Sequence, residues 1–277
     1  MQMLAVVVGE GRLPELMIEA IQKKKIKVFG IGIKGISPED TLLSCEEHVW
    51  ISLTQIGRAI KECLKRGVQQ VVFAGRVQHK VVFDLSLLKM DWTTLKLWNS
   101  LKDKRTDTIL GKIIEVFEEK GIRCLKQTDF MQDQLISEEG MVIGKLSKSL
   151  EKDANLGFNI AKGLGSFDVG QSIVVKNQAI VAVEAIEGTN KCLKRAYELA
   201  GKSCVLVKVA KPRQDFRFDV PVIGKQTIET LKNIEAKALV IEANHTLILD
   251  KTKCLELLEK YGIALLALSK VAKKVSI

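Results

Sequence analysis

The stretch LAVVVGEGRLPELMIEAIQKKKIKVF, Leu4 to Phe29, decides how the first half of the chain is read. Leu4–Val8 is a short β-branched run, as a buried strand requires, and Leu13–Lys24 repeats its apolar residues at helical spacing. Lys27–Phe29 then opens a second strand. Strand, turn, helix and strand in that order is the unit of an α/β fold with a parallel sheet. The rhythm continues through a helix at Gln55–Arg66, a strand at Gln70–Ala74 and a helix at Asp107–Lys120.

Periodicity lapses in MQDQLISEEGMVIG, Met131–Gly144, where acidic, polar and Gly residues collect as in a linker. The boundary is placed near Ser137, giving an N-terminal domain over 1–136 and a C-terminal α/β domain over 137–277. In the second, Ala179–Glu184, Cys204–Lys208, Ala238–Ile241 and Ala264–Leu268 read as strands, and Lys191–Ala200 and Thr252–Tyr261 as helices. No internal repeat recurs at a fixed period, which excludes a solenoid.

Composition narrows the class. With 277 residues, 47% of them hydrophobic and only four prolines, the chain buries one large core or two modest ones, and disorder is excluded as its main character. No apolar run approaches the roughly 20 residues of a membrane span, and MQMLAVVVGEGRLPE lacks the basic leader and long apolar core of a signal peptide. A cytoplasmic protein is expected. Cys45, Cys63, Cys124, Cys192, Cys204 and Cys254 lie in apolar surroundings without a CxxC, so they read as reduced core residues. The net charge of +10 attracts anions: nucleic acid, an acidic membrane surface or a phosphorylated small molecule.

Gly9-Glu10-Gly11-Arg12 follows the first strand and precedes a helix, where backbone N–H groups meet phosphate. Pro14 stands where a dinucleotide fingerprint needs its third glycine, so a nucleotide or sugar-phosphate loop is favoured over a nicotinamide or flavin site. Gly30-Ile31-Gly32-Ile33-Lys34-Gly35 matches GxGxxG but is followed by Ile36-Ser37-Pro38 rather than a long helix. It reads as a strand ending in a glycine-rich turn. Phe83–Leu101 spaces Leu85, Leu88, Trp92, Leu95, Trp98 and Leu101 near a helical period; it suits a core-covering helix, a lipid chain or a membrane surface.

The densest polar signal is KVAKPRQDFRFDVP, Lys208 to Pro221. From Asp215 to Val220 acid, Phe, base, Phe, acid and Val alternate, so an extended backbone would set Asp215, Arg217 and Asp219 on one face. Their carboxylates would then be roughly 13 Å apart, too far to share an ion unless the segment bends. One catalytic and one positioning aspartate are therefore expected; the set suits pyrophosphate hydrolysis, with Lys211, Arg213 and Arg217 neutralising phosphoryl oxygens. Asp168-Val-Gly170-Gln171 ahead of one strand and Glu184-Ala-Ile-Glu187-Gly188-Thr189 after another lie at strand edges, where ligands gather. Thr189 also suits a helix cap and Glu187 a helix-dipole partner. There is no GxxxxGK[ST], HExxH or GxSxG, and His48, His79 and His245 are too dispersed for a metal site.

GEGRLP at Gly9–Pro14, FDVGQ at Phe167–Gln171, VEAIEGT at Val183–Thr189 and KPRQDFRFDVPVIGKQT at Lys211–Thr227 together resemble the UDP-2,3-diacylglucosamine pyrophosphatases of lipid A biosynthesis. The likeness is to their two-domain type, unrelated to the calcineurin-like phosphoesterases, and spans nearly the whole length. It implies a Rossmann-like parallel-sheet N-terminal domain, a distinct α/β C-terminal catalytic domain and a substrate cleft between them. It also implies Mg²⁺-dependent hydrolysis of UDP-2,3-diacylglucosamine to UMP and 2,3-diacylglucosamine 1-phosphate, with water attacking the phosphorus nearer the sugar.

On that resemblance Asp219 is the favoured catalytic aspartate and metal ligand, with Asp215 and Arg217 beside it. Gly9, Gly11, Arg12, Asp168, Gln171, Glu187, Gly188, Thr189, Lys208, Lys211, Gln214, Gly224 and Thr227 are the implied substrate contacts. The expected partners are the substrate and, peripherally, the anionic inner-membrane surface; family and size suggest a homodimer. Two positions depart from the family pattern: Asn190 stands where aspartate is frequent, and Glu242-Ala243-Asn244 where Glu-Ala-Gly is frequent.

Two other classes compete. A nucleotide-sugar binding or regulatory module without catalysis would keep the Gly9 loop. A basic nucleic-acid-binding protein would explain Lys23-Lys24-Lys25, but aromatics make up only 5% of the chain and no nucleic-acid motif is present, so nucleic acid is not an expected partner.

Overall fold

A computed structural model describes residues 3–77, 90–103 and 105–269. The chain is α/β and divides into two compact units, one of Met1–Met131 with Phe216–Phe218 and one of Gln132–Asp215 with Asp219–Ile277.

The first unit runs β1 (Met3–Val8), α1 (Leu13–Lys23), β2 (Lys27–Ile33), α2 (Glu39–Leu43), β3 (Glu47–Ile51), α3 (Ile56–Lys65), β4 (Gln70–Ala74), α4 (Trp92–Asn99), α5 (Thr106–Glu119) and β5 (Arg123–Cys124). Its strands are all parallel in the order β3-β2-β1-β4-β5, so the winding reverses beside β1. Leu4, Ala5, Val6 and Val8 are buried, as expected of a strand covered on both faces. Pro14 sits in the first turn of α1, where its missing N–H costs no hydrogen bond, and Met17, Ile18 and Ile21 bury one face. Phe29, Ile60, Val71, Ile114 and Phe117 form a core that also receives Phe218.

The GxGxxG stretch differs from its sequence reading: Gly30 and Gly32 lie inside β2 rather than in a turn after it. A Cβ on Gly30 would come within 2.8 Å of both Cys45 Sγ and a Leu42 methyl. The glycines admit α2 and its C-terminal turn against the sheet, a packing role that leaves no phosphate loop.

The second unit runs β6 (Gly140–Ile143), α6 (Lys148–Ser166), β7 (Ser172–Lys176), β8 (Ala179–Val183), α7 (Thr189–Ala200), β9 (Val205–Lys208), β10 (Val222–Ile223), α8 (Lys225–Asn233), β11 (Ala238–Glu242), β12 (Leu247–Ile248), α9 (Lys251–Lys260) and β13 (Ala264–Leu268). Its sheet is mixed, ordered β6-β13-β11-β9-β7-β8: β13, β11 and β9 are parallel, and β6, β7 and β8 each run antiparallel to a neighbour. Strand alternation sorts two cores. Leu206, Leu239 and Ile241 face Leu193, Ile228, Leu231 and Leu258 from the helices, whereas Val205, Val207 and Val240 pack with Phe158 of α6.

β6 arises within the stretch read as a linker and pairs with β13. The β7–β8 hairpin turns at Asn177 and Gln178, both left-handed, and the buried Asp153 carboxylate accepts their N–H groups at 3.0 and 2.6 Å. All six cysteines are buried and none is in a disulfide. Among the described residues no helix is long and apolar enough to cross a membrane.

Candidate functional site

The carboxyl ends of β8, β9 and β11 and the start of β7 share one edge of the second unit's sheet, and there the polar residues collect. Lys208 closes β9 opposite Ser172, which opens β7. Lys208 is buried, and its Nζ donates to Thr189 Oγ1 at 2.9 Å. Thr189, the first residue of α7, donates in turn to Glu184 Oε1 at 2.9 Å. Gly188 ahead of it has φ +82°, which frees the chain to turn from β8 into the helix.

Beyond Lys208 the chain enters the acid–base segment, and the structure overturns its extended reading. The Asp219 N–H donates to the Asp215 carbonyl at 2.9 Å, so the segment curls into a turn. The cause is local: Pro212 cannot extend the ladder, and Gln214 closes a turn by donating its N–H to the Lys211 carbonyl at 3.1 Å while its side chain accepts the Lys211 N–H at 2.7 Å. Lys211 Nζ lies 2.6 Å from Asp168 Oδ1 and 3.5 Å from Asp219 Oδ2, and Gln214 Nε2 donates to Asp219 Oδ2. Asp168, Lys211, Gln214 and Asp219 are thus one cluster. Arg217 belongs with the first unit, where Nη1 meets Glu118 at 3.2 Å.

The neighbouring loops are pinned to this edge. Gly170 lies against the Glu184 carbonyl, Val209 N–H donates to the Gln171 carbonyl at 2.9 Å, and Asp168 is left-handed at φ +58°. Glu187 accepts from Arg195 at 2.7 Å; its carboxyl is held below the usual range first by its own backbone N–H, then by Arg195 and the Ala185 N–H. Thr227, in the first turn of α8, donates to Asn190 of α7 at 3.1 Å. Two helix N-termini, each positive, therefore sit side by side, with Gly224 capping α8.

The first unit's glycine loop is partly committed. Gly9 N–H donates to Ala74 O at 2.7 Å and Glu10 N–H to Arg76 O at 2.8 Å, leaving Gly11, at φ +99°, and Arg12 as its open end. Arg12 pairs with Glu15 at 2.5 Å. Of the Phe83–Leu101 stretch, residues 83–89 lie outside the described residues, as does His79. The remainder forms α4, capped by Asp91 accepting from Thr94 N–H at 2.8 Å, with Leu97 buried and Trp92 80% exposed.

Residues 3–134 match the family model of the LpxI N-terminal domain and residues 138–266 that of the LpxI C-terminal domain. The chain belongs to the LpxI family. A curated LpxI relative, the UDP-2,3-diacylglucosamine pyrophosphatase of Caulobacter vibrioides, is 27% identical over 279 residues, covering 96% of this chain and 97% of its own. Likeness to solved structures is faint. The biotin carboxylase subunit of a pyruvate carboxylase gives a TM-score of 0.28 at 15% identity, over 72% of this chain and 42% of that one. N5-carboxyaminoimidazole ribonucleotide synthetase from Thermotoga maritima gives 0.24 at 16%, over 66% and 41%. At those scores neither bears on the fold of this LpxI chain or on its chemistry.

Sequence reasoning missed two supports of the LpxI C-terminal edge. Lys162 of α6 donates to both Glu242 oxygens at 2.9 and 3.0 Å and to Ala210 O at 2.8 Å, while Glu242 accepts the Ala210 N–H at 2.8 Å. That pair clamps the root of the Lys211–Asp219 turn. The partners are far apart in sequence, so no local pattern announces them. Glu184 was visible in VEAIEGT, but its burial was not.

Proposed function

We propose that the chain hydrolyses the pyrophosphate bond of UDP-2,3-diacylglucosamine, giving UMP and 2,3-diacylglucosamine 1-phosphate in lipid A biosynthesis. The observation that carries this reading is the end-to-end match to a relative bearing that activity in its name. The second unit's edge has chemistry to suit: Lys208, Lys211 and the N-termini of α7 and α8 favour phosphoryl oxygens.

Asp219 is the proposed catalytic carboxylate, with Asp215 positioning it through the turn they close. Water, oriented by Asp219, attacks the phosphorus nearer the sugar. The bond from that phosphorus to the bridging oxygen breaks, UMP leaves with the electron pair, and the carboxylate takes the water's proton. Gln214 and Lys211 hold Asp219 in place for this step. Asp168, Gln171, Glu187, Gly188, Thr189, Gly224 and Thr227 are proposed as further contacts on this edge. In the first unit, Gly11 and Arg12 at the open end of the glycine loop are proposed to meet nucleotide phosphate.

Mg²⁺ is the proposed cofactor. It is usually held by one or two carboxylates plus substrate phosphates, and Asp219 suits that mode; among the described residues no group of three or more His, Cys, Asp and Glu forms a protein cage. Bound there, it would neutralise charge on the phosphoryl oxygens. A cytoplasmic protein peripheral to an anionic membrane fits the net charge of +10 and the exposed Trp92. The strand order of the first unit supports its Rossmann-like reading, and a homodimer is proposed on family and size alone. UMP release by wild type and Asp219→Ala tests the central step.

A further inference from the structure

We infer that Glu184 is a positioning residue which, through the Thr189 hydroxyl, holds the buried Lys208 ammonium as a seat for a phosphoryl oxygen; the inference rests on the hydrolase reading. Lys208 and Glu184 are 7% and 9% exposed. In the sheet β7 separates β9 from β8, so the two backbones stand roughly 10 Å apart. No direct ion pair between them appears among the described residues; Thr189, reaching down from the start of α7, bridges the gap. An ammonium only donates, so Thr189 Oγ1 must accept from Lys208; its single proton goes to Glu184 Oε1 at 2.9 Å, and the Ser172 hydroxyl, 3.4 Å from Thr189 Oγ1, is left to donate to it. The hydroxyl is thereby fixed in one orientation, and the chain of bonds is polarised from cation to anion.

The other carboxylate oxygen, Glu184 Oε2, is buried without a hydrogen-bond partner among the described residues. A buried charge with so little local compensation is costly unless an opposite charge lies close, and Lys208 is that charge. Thr189 takes one of the three ammonium protons, which leaves donors for an oxyanion arriving at the strand edge. A merely structural Glu184 would only satisfy the Thr189 hydroxyl, and a glutamine amide oxygen could do that equally well.

A double-mutant cycle separates the two roles. Binding of UDP-2,3-diacylglucosamine in detergent is measured by calorimetry for wild type, Glu184→Gln, Lys208→Met and the double variant, with melting temperatures and UMP-release kinetics alongside. The expected result is about tenfold weaker binding for Glu184→Gln in a protein that still folds, with a lower melting temperature, a KM that rises more than kcat falls, and no further loss of binding when it is added to Lys208→Met. Wild-type binding in Glu184→Gln, or losses that multiply in the double variant, overturns the inference. If Glu184→Gln does not fold, Thr189→Ser should bind as wild type does and Thr189→Val about tenfold more weakly; equal binding by these two overturns it. If wild type binds without releasing UMP, the hydrolase reading fails while the cycle still decides the role of Glu184. If wild type does not bind, the seat falls with the reading.

Discussion

The N–H of Asp219 donates to the carbonyl of Asp215 at 2.9 Å, and that one bond converts an alternating acid–base sequence into a turn. The turn brings Asp219 within 3.5 Å of Lys211, whose ammonium also meets Asp168 at 2.6 Å. Lys211 is thus placed to release the Asp168 carboxylate and take a phosphate when an anionic substrate arrives, while it stays beside Asp219. Lys211→Met is expected to raise KM about tenfold and to flatten the salt dependence of binding, with little change in folding stability. Steady-state kinetics at two ionic strengths check this.

Glu242 is 5% exposed and anchors both Lys162 and the Ala210 N–H. Removing the cation leaves a buried carboxylate with its charge uncompensated, so Lys162→Met should destabilise the protein by about 2–3 kcal/mol. Lys162→Met combined with Glu242→Gln should recover part of that loss. Urea unfolding of the three proteins measures both effects.

Gly170 leaves no room for a side chain. A Cβ there would sit 2.8 Å from the Glu184 carbonyl carbon and closer still to its oxygen, and backbone cannot rotate aside as a flexible side chain can. Gly170→Ala should cost about 2 kcal/mol and displace Asp168 from Lys211, lowering activity as well as the melting temperature.

Burial pushes the thiols of Cys45, Cys63 and Cys192 up to about 12 and that of Cys254 to about 11. Each is therefore protonated at neutral pH and unreactive in the folded state. A colorimetric thiol reagent should detect essentially none of the six in native protein and all of them in denaturant. Rapid native labelling would contradict burial of these thiols in packed cores.

Much of the architecture was legible because buried parallel strands such as Val205–Lys208 and Ala238–Ile241 announce themselves as apolar runs between helical periods. Asn244, which departs from the glycine frequent there, holds a left-handed backbone at φ +61°, a conformation Asn tolerates next after glycine. β6 was not legible, because Gly140–Ile143 is an edge strand whose partner lies more than a hundred residues on. The Asp215–Asp219 alternation misled for a related reason. Period-two patterning states which residues could share a face, whereas the Pro212 break and the Gln214 turn decide whether the backbone extends. Most of the site's residue types could be listed from sequence. Their pairing, Lys211 with Asp168 and Lys208 with Thr189, depends on sheet order, which no local motif encodes.

The most direct test is UMP release from UDP-2,3-diacylglucosamine in detergent, with and without Mg²⁺, by wild type, Asp219→Ala and Asp215→Ala. Expected are metal-dependent turnover by wild type, a loss of a thousandfold order in Asp219→Ala with substrate binding retained, and little loss in Asp215→Ala, whose backbone carbonyl still closes the turn. Full turnover by Asp219→Ala, or no turnover by a wild-type protein that binds the substrate, would contradict this mechanism.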